Sequence, residues 1–282
     1  MRTGAWRGSP GDCDVHDHVC WVFDDDAEWA AAATTFLADG AARHERIYYG
    51  ATGSPAERRA HLAGLEGRDA LMDSAALRVF DARVMAAASD AQRENLIRVA
   101  AEQAVAEGYR GVRFAVDSTC VAPGDDWDAQ ARWERRSDRL CLTLPLSALC
   151  GVNRSVLSEK TVAAIACLHP STGGCGEAGP FSVFAIDGGV ALTGEIDAAA
   201  TTALDLALAR EAPGPGESVL DLARVDFVDG RGLATIAGHA DRMAAAGGML
   251  VVTGASPLAR RIWELCAFDR HPAARLGEEQ PA

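Results

Sequence analysis

The stretch LDLARVDFVDGRGLATI (Leu220–Ile236) leaves a short buried strand, Ser218–Asp221, crosses a polar loop and enters a helix, Arg231–Ala246. Gly247-Gly248 closes that helix, because glycine takes the left-handed backbone of a helix end without a Cβ penalty. On the upstream side, Phe181–Ile186 and Val190–Thr193 read as strands, and Asp187-Gly188-Gly189 between them signals a hairpin. Ala198–Arg210 reads as a helix with Asp197 placed to cap it. Downstream, Met249–Thr253 is a strand and Pro257–Cys266 a helix with proline in its first turn. Strands alternating with helices predict an α/β domain over 181–277, with 278–282 as a tail.

The same alternation fills the longer upstream part. HPSTGGCGEAGP (His169–Pro180) carries four glycines and two prolines and reads as a linker over 169–180. Residues 13–168 then form the first domain, and 1–12 (MRTGAWRGSPGD) a disordered lead-in. Val19–Phe23, Ile47–Gly50, Ala75–Phe80, Val112–Val116 and Leu146–Gly151 read as strands. Ala27–Arg43, Asp90–Glu107, a polar helix from Trp127 and Ser158–Leu168 read as helices, with Trp29, Ala33, Phe36 and Leu37 on one face of the first. This order predicts a parallel sheet covered on both faces.

A chain of 282 residues that is 49% hydrophobic can fill two modest cores. The net charge is −13 and both halves are acidic, with no run of cations to displace the counterions of a phosphate backbone. Direct nucleic-acid binding and adsorption to an anionic membrane are therefore disfavoured. No secretory leader and no membrane-length apolar run is visible, so the expected location is the cytoplasm, with the eight cysteines as reduced thiols. Lys160 is the only lysine, so any mechanism that needs one must use it.

Three strings, LTGEIDAAA (Leu192–Ala200), LDLARVDFVDGRGLATI and LVVTGASPLARRIWELCAFDR (Leu250–Arg270), occur in the order found in STAS domains, the fold of the anti-sigma-factor antagonists. The resemblance implies a protein partner: an anti-sigma factor or kinase of ATPase fold, or another STAS protein. In phosphorylated members, the loop after the central strand has Asp, two positions commonly Ser or Thr, then Gly and an apolar residue. One of the hydroxyls accepts phosphate from the partner kinase, at a helix N-terminus whose free N–H groups suit an anion. Here the loop reads Asp229-Gly230-Arg231-Gly232-Leu233, with glycine and arginine at the hydroxyl positions. The resemblance thus implies a partner surface of Asp197, Asp229, Gly230, Arg231, Gly232 and Leu233 without a phosphoswitch. Two alternatives stay open: Arg231 as a solvated surface cation, and Asp197 as a plain helix cap.

HVCWVFDDDAEWAAAATTFLADGAARHERIYYG (His18–Gly50) has the layout of a KaiC/RecA-like core: strand, loop, helix, turn, strand. In those ATPases the loop is glycine-rich and ends in lysine, so that N–H groups and a cation cradle the phosphates. This chain has Asp24-Asp25-Asp26 instead, which repels phosphate and disfavours ATP. VRFAVDS (Val112–Ser118) is similar to the strand whose terminal Asp positions magnesium, but without a phosphate loop Asp117 reads as a strand-end turn residue.

DHVCWVFDDDAEW, EGYRGVRF and SALCGVNRSVLSEKTVAAIACLHP mark a resemblance to the MEDS sensory domain of methanogens and methylotrophs, over roughly His16–Pro170. It implies a domain that senses a small molecule and feeds a fused regulatory domain, with His18, Cys20, Trp21, Phe23 and Asp24 as ligand-binding residues. His16, His18 and Cys20 alternate, so on an extended strand they share a face. Imidazole and thiolate suit a transition metal such as zinc, copper or iron, and Cys13 offers a fourth ligand; simple burial beside Trp21 is the other reading. Cys141, Cys150 and Cys167 read as core, and Trp127 and Trp133 as lining of a pocket lid or as helix-face packing.

The expected protein is a non-enzymatic, ligand-responsive regulator akin to an anti-sigma-factor antagonist. Two other readings stay open. One is a STAS-based scaffold or self-assembling homo-oligomer. The other is an enzyme, with a metal–thiol or residual nucleotide site in the first domain, although no elbow-type nucleophile motif is visible.

Overall fold

The computed structural model describes residues 5–121, 127–175, 179–211 and 214–277. The chain divides into two compact units, Met1–Ala178 and Gly179–Ala282.

In the first unit the strands are β1 (Ala5–Arg7), β2 (His18–Phe23), β3 (Arg46–Ala51), β4 (Leu77–Asp81), β5 (Val112–Asp117), β6 (Leu146–Asn153) and β7 (Ser171–Gly174). The helices are α1 (Asp26–Ala42), α2 (Pro55–His61), α3 (Arg68–Asp73), α4 (Ala82–Ala87), α5 (Asp90–Ala106), α6 (Trp127–Thr143) and α7 (Glu159–Ala166). All seven strands form one parallel sheet in the order β1-β7-β2-β6-β5-β3-β4. Helix starts are fixed by side chains that satisfy otherwise orphaned N–H groups: Asp25 for α1, Ser158 for α7, and capping boxes Ser54/Glu57 for α2 and Ser89/Gln92 for α5.

Strand alternation sorts the side chains of β2 onto two faces. Val19, Trp21 and Phe23 pack with Trp29, Ala33, Phe36 and Leu37 of α1. Cys20 and Val22 pack on the opposite face with Val162 and Ile165 of α7. Beside them α5 and α6 cover Tyr48, Phe114, Ala148 and Cys150. The sheet is therefore buried on both sides, as its near-continuous apolar strands require.

Two segments differ from the sequence reading. The expected linker 169–180 contains β7, which pairs with β2 and β1, and the expected disordered lead-in 1–12 contains β1 and a 3-10 turn at Pro10–Asp12. Composition misleads here because glycine serves close strand approach. A Cβ on Gly174, at φ +94°, would lie 1.9 Å from the Val22 carbonyl oxygen. Residues 1–4, 176–178 and the expected tail 278–282 lie outside the described residues.

The second unit contains β8 (Phe181–Ile186), β9 (Gly189–Ile196), α8 (Thr201–Ala209), β10 (Gly216–Val228), α9 (Gly230–Ala245), β11 (Gly248–Thr253), α10 (Pro257–Leu265) and β12 (Ala274–Leu276). The sheet order is β12-β11-β10-β9-β8, antiparallel only in the β8–β9 hairpin. The central strand β10 is far longer than the expected Ser218–Asp221, because two register shifts against β9 break its apolar alternation. Among the described residues no helix is long and apolar enough to cross a membrane.

His239 of α9 is 3% exposed, and its Nδ1 accepts from Arg242 Nε at 3.3 Å. Burial, helped by the Arg242 charge, pulls its pKa down to about 4. Because the folded value lies below the unfolded one, the neutral ring favours folding above pH 6.5, and this stability is lost as pH falls towards 4. Between pH 7 and pH 5 the second unit is expected to lose roughly 1–2 kcal/mol on this account. Chemical denaturation at the two pH values checks it: His239→Gln should remove that part of the loss, and an unchanged pH dependence in the variant would contradict it.

Candidate functional site

β2 lies where the chain connections reverse, between β7 and β6, and open parallel sheets offer ligand crevices beyond the strand ends at such points. Beyond this strand end the chain's own groups bond one another. Asp25 accepts from the N–H of Ala27 and of Glu28 at 2.9 Å, and Glu28 accepts from the Asp24 N–H at 2.8 Å. Arg154 Nη2 donates to Asp24 at 2.7 Å, and Ser155 Oγ donates to the Asp24 carbonyl at 2.8 Å. The hydrogen bond from Arg154 holds the Asp24 carboxyl below its usual range. Carboxylates thus take the helix N-terminus that a phosphate would use. Asp117 accepts from the Thr119 N–H at 3.0 Å, the bond of a strand-end turn residue.

At the other end of β2 is a wholly buried polar cluster. Gln130, Glu134 and Asp138 are spaced four apart on one face of α6 and are 2%, 1% and 0% exposed. His18 Nδ1 faces Asp138 Oδ1 at 3.3 Å, and His18 Nε2 lies 3.6 Å from Glu134 Oε2 and 3.4 Å from Cys150 Sγ. The β2–β6 register sets Cys20 opposite Cys150, one step along from His18. His169 arrives because β7 sets Ser171 against Val19, which brings the preceding turn up beside His18. The two imidazole centroids are 4.1 Å apart. His169 Nδ1 meets the Ile165 carbonyl at 3.0 Å, and its Nε2 lies 3.3 Å from Glu134 Oε2. Gln130 Nε2 donates to Glu134 Oε1.

The Asp138 carboxylate and the Ile165 carbonyl only accept, so a neutral imidazole that keeps its bond to either carries the proton on Nδ1 and turns a bare Nε2 inward. Burial and the neighbouring His169 pull His18 down to about 4. Burial pushes the Glu134 carboxyl up, but His169, His18 and Gln130 outweigh it and hold the group lowered. Burial, then the Glu134 charge, raises the Cys150 thiol well above its ordinary value. Glu134 Oε2 and His169 Nε2 have no hydrogen-bond partner.

Cys150 also walls a cavity of about 50 Å³ under α4, α5 and α6, bounded by Phe80, Met85, Phe114, Trp133 and Arg93. The Arg93 guanidinium sits 5.0 Å from the Trp133 ring centre. With a water's share of liquid near 30 Å³, this space suits a largely apolar molecule of a few heavy atoms.

Of the residues expected to bind ligand, His18 and Cys20 face α6 and α7, Trp21 and Phe23 face α1, and Asp24 sits outside the strand end. They do not share one pocket. His18 and Cys20 alternate on β2 as expected, but His16 is not part of the strand. His16 stands before β2 in a turn at φ +79°, and its Nδ1 bonds the Cys141 carbonyl at 2.7 Å. Cys13 packs in the cluster around α1. The partners His18 does meet, Glu134, Cys150 and His169, come from three other elements. Sequence reasoning placed Cys150 in the core and missed Glu134 and His169; the four-residue spacing of Gln130, Glu134 and Asp138 was the available signal. Trp133 lines the cavity, whereas the Trp127 side chain lies outside the described residues.

In the second unit, the β9–β10 register pairs Val228 with Ile196, so Asp197 and Asp229 leave the sheet side by side. Asp197 accepts from the N–H groups of Ala199 and Ala200 at 2.9 and 3.1 Å, and Asp229 caps α9 by accepting from Gly232 at 2.8 Å. Arg231 is exposed, with no ion pair among the described residues, while Leu233 is buried. The nearest downstream hydroxyl, Thr235, donates back to the Arg231 carbonyl at 3.1 Å.

Two family models match the chain. Residues 17–170 match the one described as MEDS, the methanogen/methylotroph DcmR sensory domain, and residues 185–277 match one described as Mlab, STAS domain. No curated protein matches the chain.

Proposed function

This chain belongs to the MEDS family of sensory domains, and we propose on that premise that it is a ligand-responsive regulator of the anti-sigma-factor-antagonist kind, acting by binding rather than by catalysis. The sensory and STAS domains together give it a signalling or regulatory role. One observation carries the finer reading. The loop at the start of α9 presents an exposed Arg231, without an ion pair among the described residues, where phosphorylated members of the STAS family carry a hydroxyl. A cation at a helix N-terminus opposes the dipole by a few tenths of a kcal/mol, a cost that a partner's acidic group would offset. The partner is an anti-sigma factor or kinase of ATPase fold, or another STAS protein, met in the cytoplasm, where eight free thiols fit a reducing compartment.

The sensed ligand belongs in the cavity beside Cys150, whose apolar walls and single guanidinium suit a small, mostly apolar molecule. The carboxylate-filled crevice beyond β2 supports the absence of nucleotide chemistry.

Affinity capture from the native cell with wild-type and Arg231→Glu baits tests the proposal. Wild type should recover an ATPase-fold kinase or another STAS protein, and the variant about tenfold less or lower still, as for an interface hot spot. Equal recovery by both baits, or neither partner with folded bait, would overturn it.

A further inference from the structure

We propose that His18, Glu134, Cys150 and His169 form a closed, structural metal site for one divalent cation of the zinc class. The inference goes beyond the regulatory reading and does not rest on it. The four ligand atoms lie within 4.8 Å of one another and all four residues are buried. Bonds of about 2.0–2.3 Å to N, O and S place the corners of a tetrahedron roughly 3.3–3.8 Å apart. Three of the six pairs, Cys150 Sγ–His18 Nε2, His18 Nε2–Glu134 Oε2 and Glu134 Oε2–His169 Nε2, measure 3.4, 3.6 and 3.3 Å.

Two further features point to a cation. Glu134 Oε2 and His169 Nε2, at 1% and 0% residue exposure, have no hydrogen-bond partner and face each other at 3.3 Å. Polar atoms buried in that state cost free energy unless something binds them. The outer partners are also those that orient metal ligands: Asp138 and the Ile165 carbonyl hold the two Nδ1–H groups, and Gln130 holds the second oxygen of Glu134. A dication offsets one thiolate and one carboxylate. The nitrogen and sulfur donors favour zinc over magnesium or calcium, which seek oxygen. Since the protein supplies all four corners, no position remains for a reacting water, and the site holds structure. Its thiolate corner is also a wall of the cavity, so metal and cavity occupant would share Cys150.

The test uses the full chain, untagged and supplied with zinc, then dialysed against metal-free buffer. Elemental analysis should find about one zinc per chain, and X-ray absorption should show one sulfur and three nitrogen or oxygen neighbours. Cobalt loading should give tetrahedral ligand-field bands and a thiolate charge-transfer band. Cys150→Ser should abolish the charge-transfer band, Cys20→Ser should keep it, and Asp138→Asn should weaken binding about 10- to 100-fold. Absence of retained metal in folded wild-type protein would overturn the proposal. So would a shell of two or more sulfurs, or a charge-transfer band lost with Cys20 and kept without Cys150.

Discussion

Replacing Arg113 by methionine should lower the stability of the sensory domain by about 3–5 kcal/mol, read as a fall in the urea midpoint. Arg113 stands on β5 with no exposure. Its guanidinium donates to Glu45 at 2.6 Å, to Asp39 at 2.7 Å, and to the carbonyls of Phe36 and Cys13 at 3.1 and 3.0 Å. The group also lies 4.8 Å from the centre of the Phe36 ring. Methionine fills part of the volume but leaves Glu45, 3% exposed, as a buried charge without its counterion. Desolvation of that orphaned carboxylate sets the size of the effect. The double variant with Glu45→Leu should recover much of the loss, because removing both charges is cheaper than removing one. A loss under about 1 kcal/mol for Arg113→Met would show that the network contributes little.

The second large effect is expected at Gly232. A Cβ there would lie 2.8 Å from both Ile196 Cγ2 and Val228 Cγ2 and 3.0 Å from the Ile196 carbonyl oxygen, so α9 could not sit as it does on the ends of β9 and β10. Gly232→Ala should destabilise the STAS domain by roughly 1–3 kcal/mol, the usual cost of overpacking. Gly230 is the contrast. Its Cβ would meet only Ile262 Cγ2, at 3.9 Å, which is ordinary contact. Gly230→Ser should fold with a midpoint close to wild type and restore a hydroxyl at the first loop position. Chemical denaturation of both variants checks this; equal losses would show that the close packing at Gly232 is not what fixes the loop.

Much of the fold was legible because the alternation of apolar strand and amphipathic helix is local. Val19–Phe23, Ile47–Gly50, Val112–Val116 and the Asp187-Gly188-Gly189 hairpin could be read without knowing their neighbours. β1 and β7 could not: AWR and STGG carry no strand pattern, and the pairing of β7 to β2 and of β1 to β7 makes them strands. The candidate metal site was half legible for a similar reason. His18 stands in a readable strand, but its partners Glu134, Cys150 and His169 are 116 or more positions away, brought in by register and helix packing. The alternation of His16 with His18 is not that of one strand, because the strand begins only at His18, two residues after a positive φ at His16.

We propose that the STAS surface around Arg231 binds its partner without offering a phosphoacceptor. Intact-protein mass spectrometry after incubation with the captured kinase and ATP tests this most directly. Wild type should stay unmodified while Gly230→Ser gains a phosphoryl group at residue 230. A phosphoryl group on the wild-type chain within 229–235 would contradict it.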